Sequence, residues 1–235
     1  SSVLPGVRQE AVRMQLSQDG ASGLVLMGHA AFRAFRNLWM LEEMGLQFTH
    51  IPLKPQELAV RQINPFGKIP ILKDGSFTMY ESAAINTYLG DAYRDQSKTP
   101  MVPTPGTQER GRYEQLVSTM QTEMDAQGLW IHRKHEILGR YFGFIPEAVA
   151  HAKTHFDRVL RTLLGDLQAA GGDYLLSGGF SAADILLVHC LNWADTIHWL
   201  ESAEIGNSLR ELMDNYLQRC MSRPAYIRTK AVAKL

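Results

Sequence analysis

Two neighbouring polar residues, Glu81 and Ser82, stand at the start of a predicted helix and could bind an amino-acid head group. The unpaired N–H groups of a helix N-terminus attract a carboxylate. A glutamate beside them attracts an ammonium group. From the residues alone, the alternative is an ordinary helix start in which Ser82 caps the helix and Glu81 lies in solvent.

A second candidate feature is Pro70, which follows Ile69 at the start of a predicted strand. Proline has no N–H group for the hydrogen-bond ladder of a sheet. With a cis bond, the N–H and C=O of Ile69 would turn outward and could pair with an extended peptide, as another strand does. With a trans bond, the proline would simply lie at the sheet edge. The residues alone leave both alternatives open.

The elements that must position these residues follow from hydrophobic patterning. Before residue 96, short apolar runs and helical patterns alternate, and an Asp-Gly pair predicts a hairpin. The predicted order is a strand at 24–27, a helix ending near Gly45, a strand at 48–53, a hairpin of 69–72 with 77–80, and a helix from Ser82. This order predicts a four-stranded α/β sheet whose first strand–helix–strand unit is parallel.

The second half of the chain has almost only helical patterns. The predicted helices are 107–129, 146–170, one from Ser181, 208–220 and one from Pro224. Ser181 and Asp184 have the spacing of a capping box. Three prolines between the two halves bar a continuous helix. We therefore predict an N-terminal extension at 1–22, an α/β domain at 23–95, a linker at 96–106 and a helical domain at 107–235.

Composition limits the partners of the chain. Lys and Arg total 24, as do Asp and Glu, so the basic excess expected of a nucleic-acid binder is absent. No apolar run approaches the roughly 20 residues of a membrane span, so no membrane partner is expected. Cys190 and Cys220 are too few for a disulfide framework or a zinc cluster, which favours a reducing cytoplasm. Four histidines lack a carboxylate framework, so no metal is expected: His132, His135, His151 and His155.

The ordered motifs together resemble the cytosolic glutathione S-transferases over roughly residues 24–228. The segments that carry the resemblance are Leu24–Gly28, Leu41–Leu46, Asn64–Leu72, Glu81–Ile85, Phe180–Ile185 and Arg219–Pro224. The resemblance implies an α/β plus all-α fold, with a thioredoxin-like N-terminal domain followed by a helix-bundle C-terminal domain. It also implies glutathione as co-substrate, a cytoplasmic role in detoxification, and a two-fold homodimer in which Phe66 is a candidate hydrophobic anchor.

The resemblance also implies individual roles. Pro70 matches the family's cis-proline, and Ile69 matches the residue whose backbone pairs with the cysteinyl part of glutathione. Glu81 and Ser82 match the pair that holds the γ-glutamyl end. Lys68, and more weakly Lys54, match positions near the glycine carboxylate, while Ser181 and Asp184 match a buried structural capping box.

The turn that should activate the thiol departs from the family. A free thiol has a pKa near ~8.5, and a hydrogen-bond donor aimed at sulfur lowers it. The family places Tyr, Ser or Cys in the turn after the first strand, but residues 24–48 contain no Ser, Thr, Tyr or Cys. Either His29 supports the thiolate, or Arg33 or the backbone amides at the helix start do. Otherwise the protein binds glutathione without much chemistry.

A small hydrophobic electrophile is the expected second substrate. Four residues of the long helix after the linker are spaced to face a cleft: Tyr113, Val117, Met120 and Gln121. Trp130, Tyr141, Phe142 and Phe144 could add to this acceptor site. The alternative is that these side chains pack in the core of the bundle.

Two functions from different classes follow. The first is a glutathione transferase-like enzyme that conjugates or transfers glutathione to small electrophiles. The second is a non-catalytic protein of the same fold that binds ligands or partners. A thiol-disulfide reductase is disfavoured because no cysteine occupies the first turn.

Overall fold

The structure is a computed structural model that describes residues 23–233, and these residues form two compact units. The first unit takes the described residues up to Pro100 and those from Pro224 onward, and the second spans Met101–Arg223. The predicted N-terminal extension at 1–22 lies outside the described residues. The helices are, in chain order, α1 (Ala34–Met44), α2 (Leu58–Ile63), α3 (Ser82–Ala92), α4 (Gln108–Thr119), α5 (Trp130–His132), α6 (Gly139–Phe142), α7 (Pro146–Ala169), α8 (Ala182–Thr196), α9 (Gly206–Met221) and α10 (Pro224–Val232).

A four-stranded mixed sheet organises the first unit. Its strands are β1 (Leu24–Met27), β2 (Phe48–Ile51), β3 (Ile71–Asp74) and β4 (Phe77–Tyr80), in the order β2-β1-β3-β4. β1 pairs parallel with β2 and antiparallel with β3, and β3 pairs antiparallel with β4. The predicted parallel unit and the predicted hairpin are both confirmed. β1 is buried along its whole length, which is why its sequence is an unbroken apolar run.

The helices of the first unit cover this sheet. α1 ends at Gly45, whose φ of 68° is left-handed and whose N–H bonds to the Leu41 carbonyl. The six-residue helix α2 was not predicted, because it is too short to show a helical period. α10 packs in this unit, with the Tyr226 ring 4.9 Å from that of Trp39. The sequence alone had grouped this terminal helix with the helical domain.

The second unit is helical throughout its regular structure. π-helical turns at Met120–Leu129 and Arg133–Ile137 lie on either side of α5, so the helical path predicted to end near residue 129 continues to Ile137. A Cβ at Gly128 would lie 3.3 Å from the Phe156 ring, which shows how closely α7 approaches this segment. These features give the predicted combination of an α/β domain with an all-helical domain.

A fully buried capping box begins α8. The Ser181 Oγ accepts from the Ala183 N–H at 3.3 Å, and an Asp184 oxygen accepts from the Ser181 N–H at 2.8 Å. The same carboxylate accepts from the Leu175 N–H at 2.9 Å and from the Tyr216 hydroxyl at 3.1 Å. Burial raises the pKa of the Asp184 carboxyl, against the opposite effect of these hydrogen bonds. The predicted capping box is confirmed, and it ties α8 to α9 and to the chain before it.

Candidate active site

The loop that leads into β3 is held by the side chain of Asn64. This buried amide donates to the Lys68 carbonyl at 2.9 Å and accepts from the Phe66 N–H at 3.1 Å. Gly67 then adopts a φ of 64°, a left-handed conformation that suits glycine. The result is a fixed path into Ile69. Phe66 is left exposed on this loop, with 68% of its surface accessible.

Ile69 and Pro70 lie between this loop and the first paired residue of β3. Their peptide bond is cis, the isomer that the family resemblance implies. Ile69 precedes the β3 ladder, whose pairing begins at Ile71. A Cβ added at Gly28 would lie 3.2 Å from the Ile69 Cβ and 3.4 Å from the Pro70 Cα. The turn after β1 therefore packs directly against the Ile69–Pro70 segment.

Glu81 and Ser82 lie between β4 and the first turn of α3. Glu81 is exposed and has a φ of 73°, a conformation that non-glycine residues adopt rarely and that is enriched at functional sites. α3 begins at Ser82, and no side-chain hydrogen bond caps it at Glu81. Ser82 is thus the first helical residue rather than the cap, while Glu81 is exposed, as the alternative of an ordinary helix start expects. An exposed carboxylate beside an uncapped helix start can bind an ammonium and a carboxylate together.

A buried polar network supports Ser82 from α1, and the sequence did not reveal it. Arg36, only 1% exposed, donates to the Ser82 Oγ at 3.1 Å. Asn37 donates to the Ser82 carbonyl at 2.8 Å and to the Asn86 side chain at 2.7 Å. The only available signal was the Arg36–Asn37 pair within the otherwise apolar stretch Ala34–Leu41 of α1. Its meaning depended on α3 crossing α1, which no local pattern shows.

His29 lies in the turn after β1. Its backbone N–H donates to the Leu53 carbonyl at 2.7 Å, and its Nδ1 accepts from the Ala31 N–H at 3.0 Å. In the neutral ring this bond assigns the proton to Nε2, which is thus the ring's donor. His50, on β2, bonds through Nε2 to the Gly28 carbonyl at 2.8 Å. Burial lowers the pKa of His50, and repulsion from His29 adds a smaller lowering.

The remaining predicted site residues fall into two groups. Lys54 and Lys68 are exposed in the first unit, and Arg33 is half-buried immediately before α1. In the second unit the four predicted acceptor residues are buried or half-buried: Tyr113, Val117, Met120 and Gln121. Burial fits the alternative of core packing, and the acceptor role stays a prediction for these residues.

Two negative findings concern the described part of the chain. Residues 23–233 contain no group of three or more His, Cys, Asp and Glu side chains arranged to hold a metal ion. Within the same residues no helix is both long and apolar enough to span a membrane.

The sheet order, the cis Ile69–Pro70 bond and the helical second unit together define a class of protein. Residues 33–92 match the pattern described as "Glutathione S-transferase, N-terminal domain", and residues 146–218 match "Glutathione S-transferase, C-terminal domain". Together these matches cover more than half of the 235 residues. The chain belongs to the glutathione S-transferase family.

Particular relatives refine this placement. The chain is 28% identical over 178 residues to glutathione S-transferase F14 of Arabidopsis thaliana, a match that covers 71% of this chain and 64% of the relative. It spans between 39% and 64% of the length of three Arabidopsis relatives that it matches.

Solved structures share the fold. The glutathione transferase F7 of Populus trichocarpa has a TM-score of 0.74 at 19% identity, covering 90% of this chain and 100% of that one. The glutathione transferase URE2P6 of Phanerochaete chrysosporium, solved with oxidized glutathione, has a TM-score of 0.73 at 24% identity, covering 91% and 97%.

Proposed function

We propose that this protein is a glutathione transferase that conjugates or transfers glutathione to small hydrophobic electrophiles. The observation that carries the proposal is the Glu81–Ser82 pair, with its exposed carboxylate beside an uncapped helix start and its support from buried Arg36. Structural neighbours solved with glutathione support the choice of ligand. Family membership supports the choice of reaction class.

The proposed binding mode uses three parts of the first unit. The ammonium of the γ-glutamyl end would pair with Glu81, and its carboxylate would accept from N–H groups at the start of α3. The cysteinyl part would pair with the backbone of Ile69 as a strand does. Lys54 and Lys68, both exposed, would attract the glycine carboxylate.

In the proposed reaction, the glutathione thiol loses its proton to solvent and the thiolate sulfur attacks an electrophilic carbon. A carbon–sulfur bond forms, and either a leaving group departs with its electron pair or, in addition to a double bond, the π electrons move away from the attacked carbon and the resulting anion takes up a proton. Binding contributes by holding the nucleophile close to the electrophile. We assign support of the thiolate to His29, through its Nε2–H, and a secondary electrostatic role to Arg33.

The head-group assignment predicts that Glu81→Gln weakens glutathione binding roughly 10- to 100-fold, because a charge-assisted hydrogen bond contributes about 1.5–3 kcal/mol. The substitution keeps the shape and exposure of the side chain. Substituting Ser82 as well would confuse the result, since it would remove a partner of buried Arg36. Isothermal calorimetry with glutathione measures the change. Glu147→Gln, an exposed glutamate in the other unit, is the matched control. Equal affinity in both variants would show that the site is elsewhere.

A second candidate function is glutathione binding without catalysis. It is favoured by one observation: the turn between β1 and α1 contains no hydroxyl or thiol side chain. A glutathione-affinity resin combined with an assay of several electrophiles separates the two. Retention on the resin without turnover of any electrophile would favour the second function.

Assembly as a two-fold homodimer is part of the proposal, and we predict that Phe66→Ala shifts it toward the monomer. Phe66 is 68% exposed on a loop fixed by Asn64, as expected of an anchor awaiting a partner. Sedimentation at micromolar concentration checks this, with exposed Leu58→Ala as control. A wild-type monomer, or an equal shift in the control, would contradict it.

We also propose a cytoplasmic location and a role in detoxification. The described residues contain two buried cysteines, Cys190 and Cys220, and neither forms a disulfide. Burial raises the pKa of the Cys220 thiol, so this residue is not a rival nucleophile.

A further inference from the structure

The chain between α5 and α7 exposes a dense group of large apolar side chains. Within residues 137–145, here called the aromatic turn, five such side chains are between 41% and 67% exposed: Ile137, Tyr141, Phe142, Phe144 and Ile145. Scattered exposed apolar residues are ordinary, but a contiguous group marks an interaction surface. Tyr141, Phe142 and Phe144 were possible additions to the acceptor site, but the proposed glutathione-binding and thiol steps use none of the five side chains.

The exposed side chains of the aromatic turn lie on an ordered segment. His135 bonds through Nδ1 to the Gly143 carbonyl at 3.0 Å, which closes the turn on the preceding helical segment. Gly143 has a φ of 88°, a left-handed conformation that suits glycine. The Phe144 ring lies where a Cβ at Gly139 would be, so this ring packs over the glycine while its other face stays exposed. The aromatic turn is therefore preorganised.

Cationic side chains lie over the exposed rings. The Arg140 guanidinium lies 4.6 Å from the centre of the Tyr141 ring, and the Lys134 ammonium lies 5.6 Å from that of Phe142. Between residues 133 and 145 there are three Lys and Arg residues and one acidic residue, Glu136. Glu147 lies beyond them, in the first turn of α7. The surface thus combines apolar rings with positive charge.

We propose that the aromatic turn docks on an anionic phospholipid surface. Aromatic rings favour the headgroup level of a bilayer, where one end is apolar and the other is wet. Lys134 and Arg140 would then lie near lipid phosphates, to which basic side chains are attracted. The sequence-based expectation of no membrane partner considered only spanning segments, and the contact proposed here is peripheral.

Two features of the surface disfavour other occupants. A two-fold contact between copies would bring the cations of one aromatic turn against those of the other, which is repulsive. A stable protein partner usually covers about 20–30 residues on each side, far more than this nine-residue segment supplies. A lipid surface needs no matching pocket and accepts a small anchor.

The test is co-sedimentation of the full chain with vesicles of phosphatidylcholine alone and of phosphatidylcholine with 30% phosphatidylserine. We expect binding to the anionic vesicles, weakened by salt, and little binding to the neutral ones. The triple variant Tyr141→Ser, Phe142→Ser, Phe144→Ser should lose binding. Lys134→Gln with Arg140→Gln should reduce it roughly tenfold or more. The control is Leu58→Ser with Phe77→Ser, two exposed apolar side chains in the first unit.

Three outcomes would overturn the proposal. One is no preference of the wild type for anionic vesicles, and another is equal loss of binding in the Leu58 and Phe77 control. The third is an absence of vesicle binding together with self-association of the wild type that the triple variant lacks, as measured by sedimentation. The aromatic turn would then pair with a second copy. Circular dichroism and thermal midpoints equal to wild type show that the variants fold.

Discussion

Asp184→Ala is expected to lower the free energy of unfolding by about 3–5 kcal/mol, because each buried hydrogen-bond donor left without its acceptor costs about 1–3 kcal/mol. The side chain is 0% exposed. Its carboxylate accepts from the N–H groups of Leu175 and Ser181 and from the hydroxyl of Tyr216. Alanine would remove the side-chain acceptor of all three donors and the Asp184 half of the capping box, leaving Ser181 as the cap of α8.

Chemical denaturation monitored by circular dichroism measures this loss. Asp214→Ala is the control, because Asp214 is exposed on α9 and its substitution removes the same kind of side chain. If Asp184→Ala does not accumulate as folded protein, Tyr216→Phe provides a milder variant, with an expected loss of about 1 kcal/mol from one hydrogen bond. A loss below about 1 kcal/mol for Asp184→Ala would show that the box contributes little.

Local patterns were sufficient for most of the elements in the fold. The apolar run of β1, the Asp-Gly hairpin of β3 and β4, and the cap at Ser181 each depend on neighbouring residues, and each is observed. The short helix α2 has too few residues to show a period. The place of α10 depended on its contact with Trp39, a residue nearly 190 positions away, so sequence order alone grouped it with its neighbours.

The residues of the candidate site likewise fall into those that local patterns predict and those that depend on distant contacts. The Asn64–Ile69 loop and the Glu81–Ser82 pair are contiguous, so their types and spacing could be interpreted directly. Arg36 meets Ser82 across 46 positions, and His50 meets Gly28 across 22. Those contacts exist only because α1 crosses α3 and β2 pairs with β1. The supporting residues of the site were therefore missing from the sequence-based account.

His29→Ala is expected to slow glutathione conjugation roughly 100-fold at neutral pH, the typical contribution of a principal hydrogen-bond donor or acid–base group. Nδ1 of His29 is occupied by the Ala31 N–H, so the neutral ring presents Nε2–H as its donor. A donor to sulfur stabilises the thiolate and lowers the pKa of the bound thiol. Its removal should raise that pKa, so the rate loss should be greatest at low pH and disappear at high pH, where the thiol ionises unaided.

Two conservative variants separate this role from a purely structural one. His29→Asn keeps an acceptor in the position of Nδ1 for the Ala31 N–H but has no donor in the position of Nε2, so it should resemble His29→Ala in rate. His29→Gln extends an amide N–H toward the position of Nε2, so it should recover part of the rate. The direct measurement is the ultraviolet absorbance of the bound thiolate as a function of pH. Identical titration curves for wild type and His29→Ala would remove His29 from the mechanism and leave Arg33 or the backbone amides of α1 as the source of thiolate stabilisation. Full recovery in His29→Asn would mean that only the turn geometry matters, since that variant retains the bond to Ala31 and loses the donor.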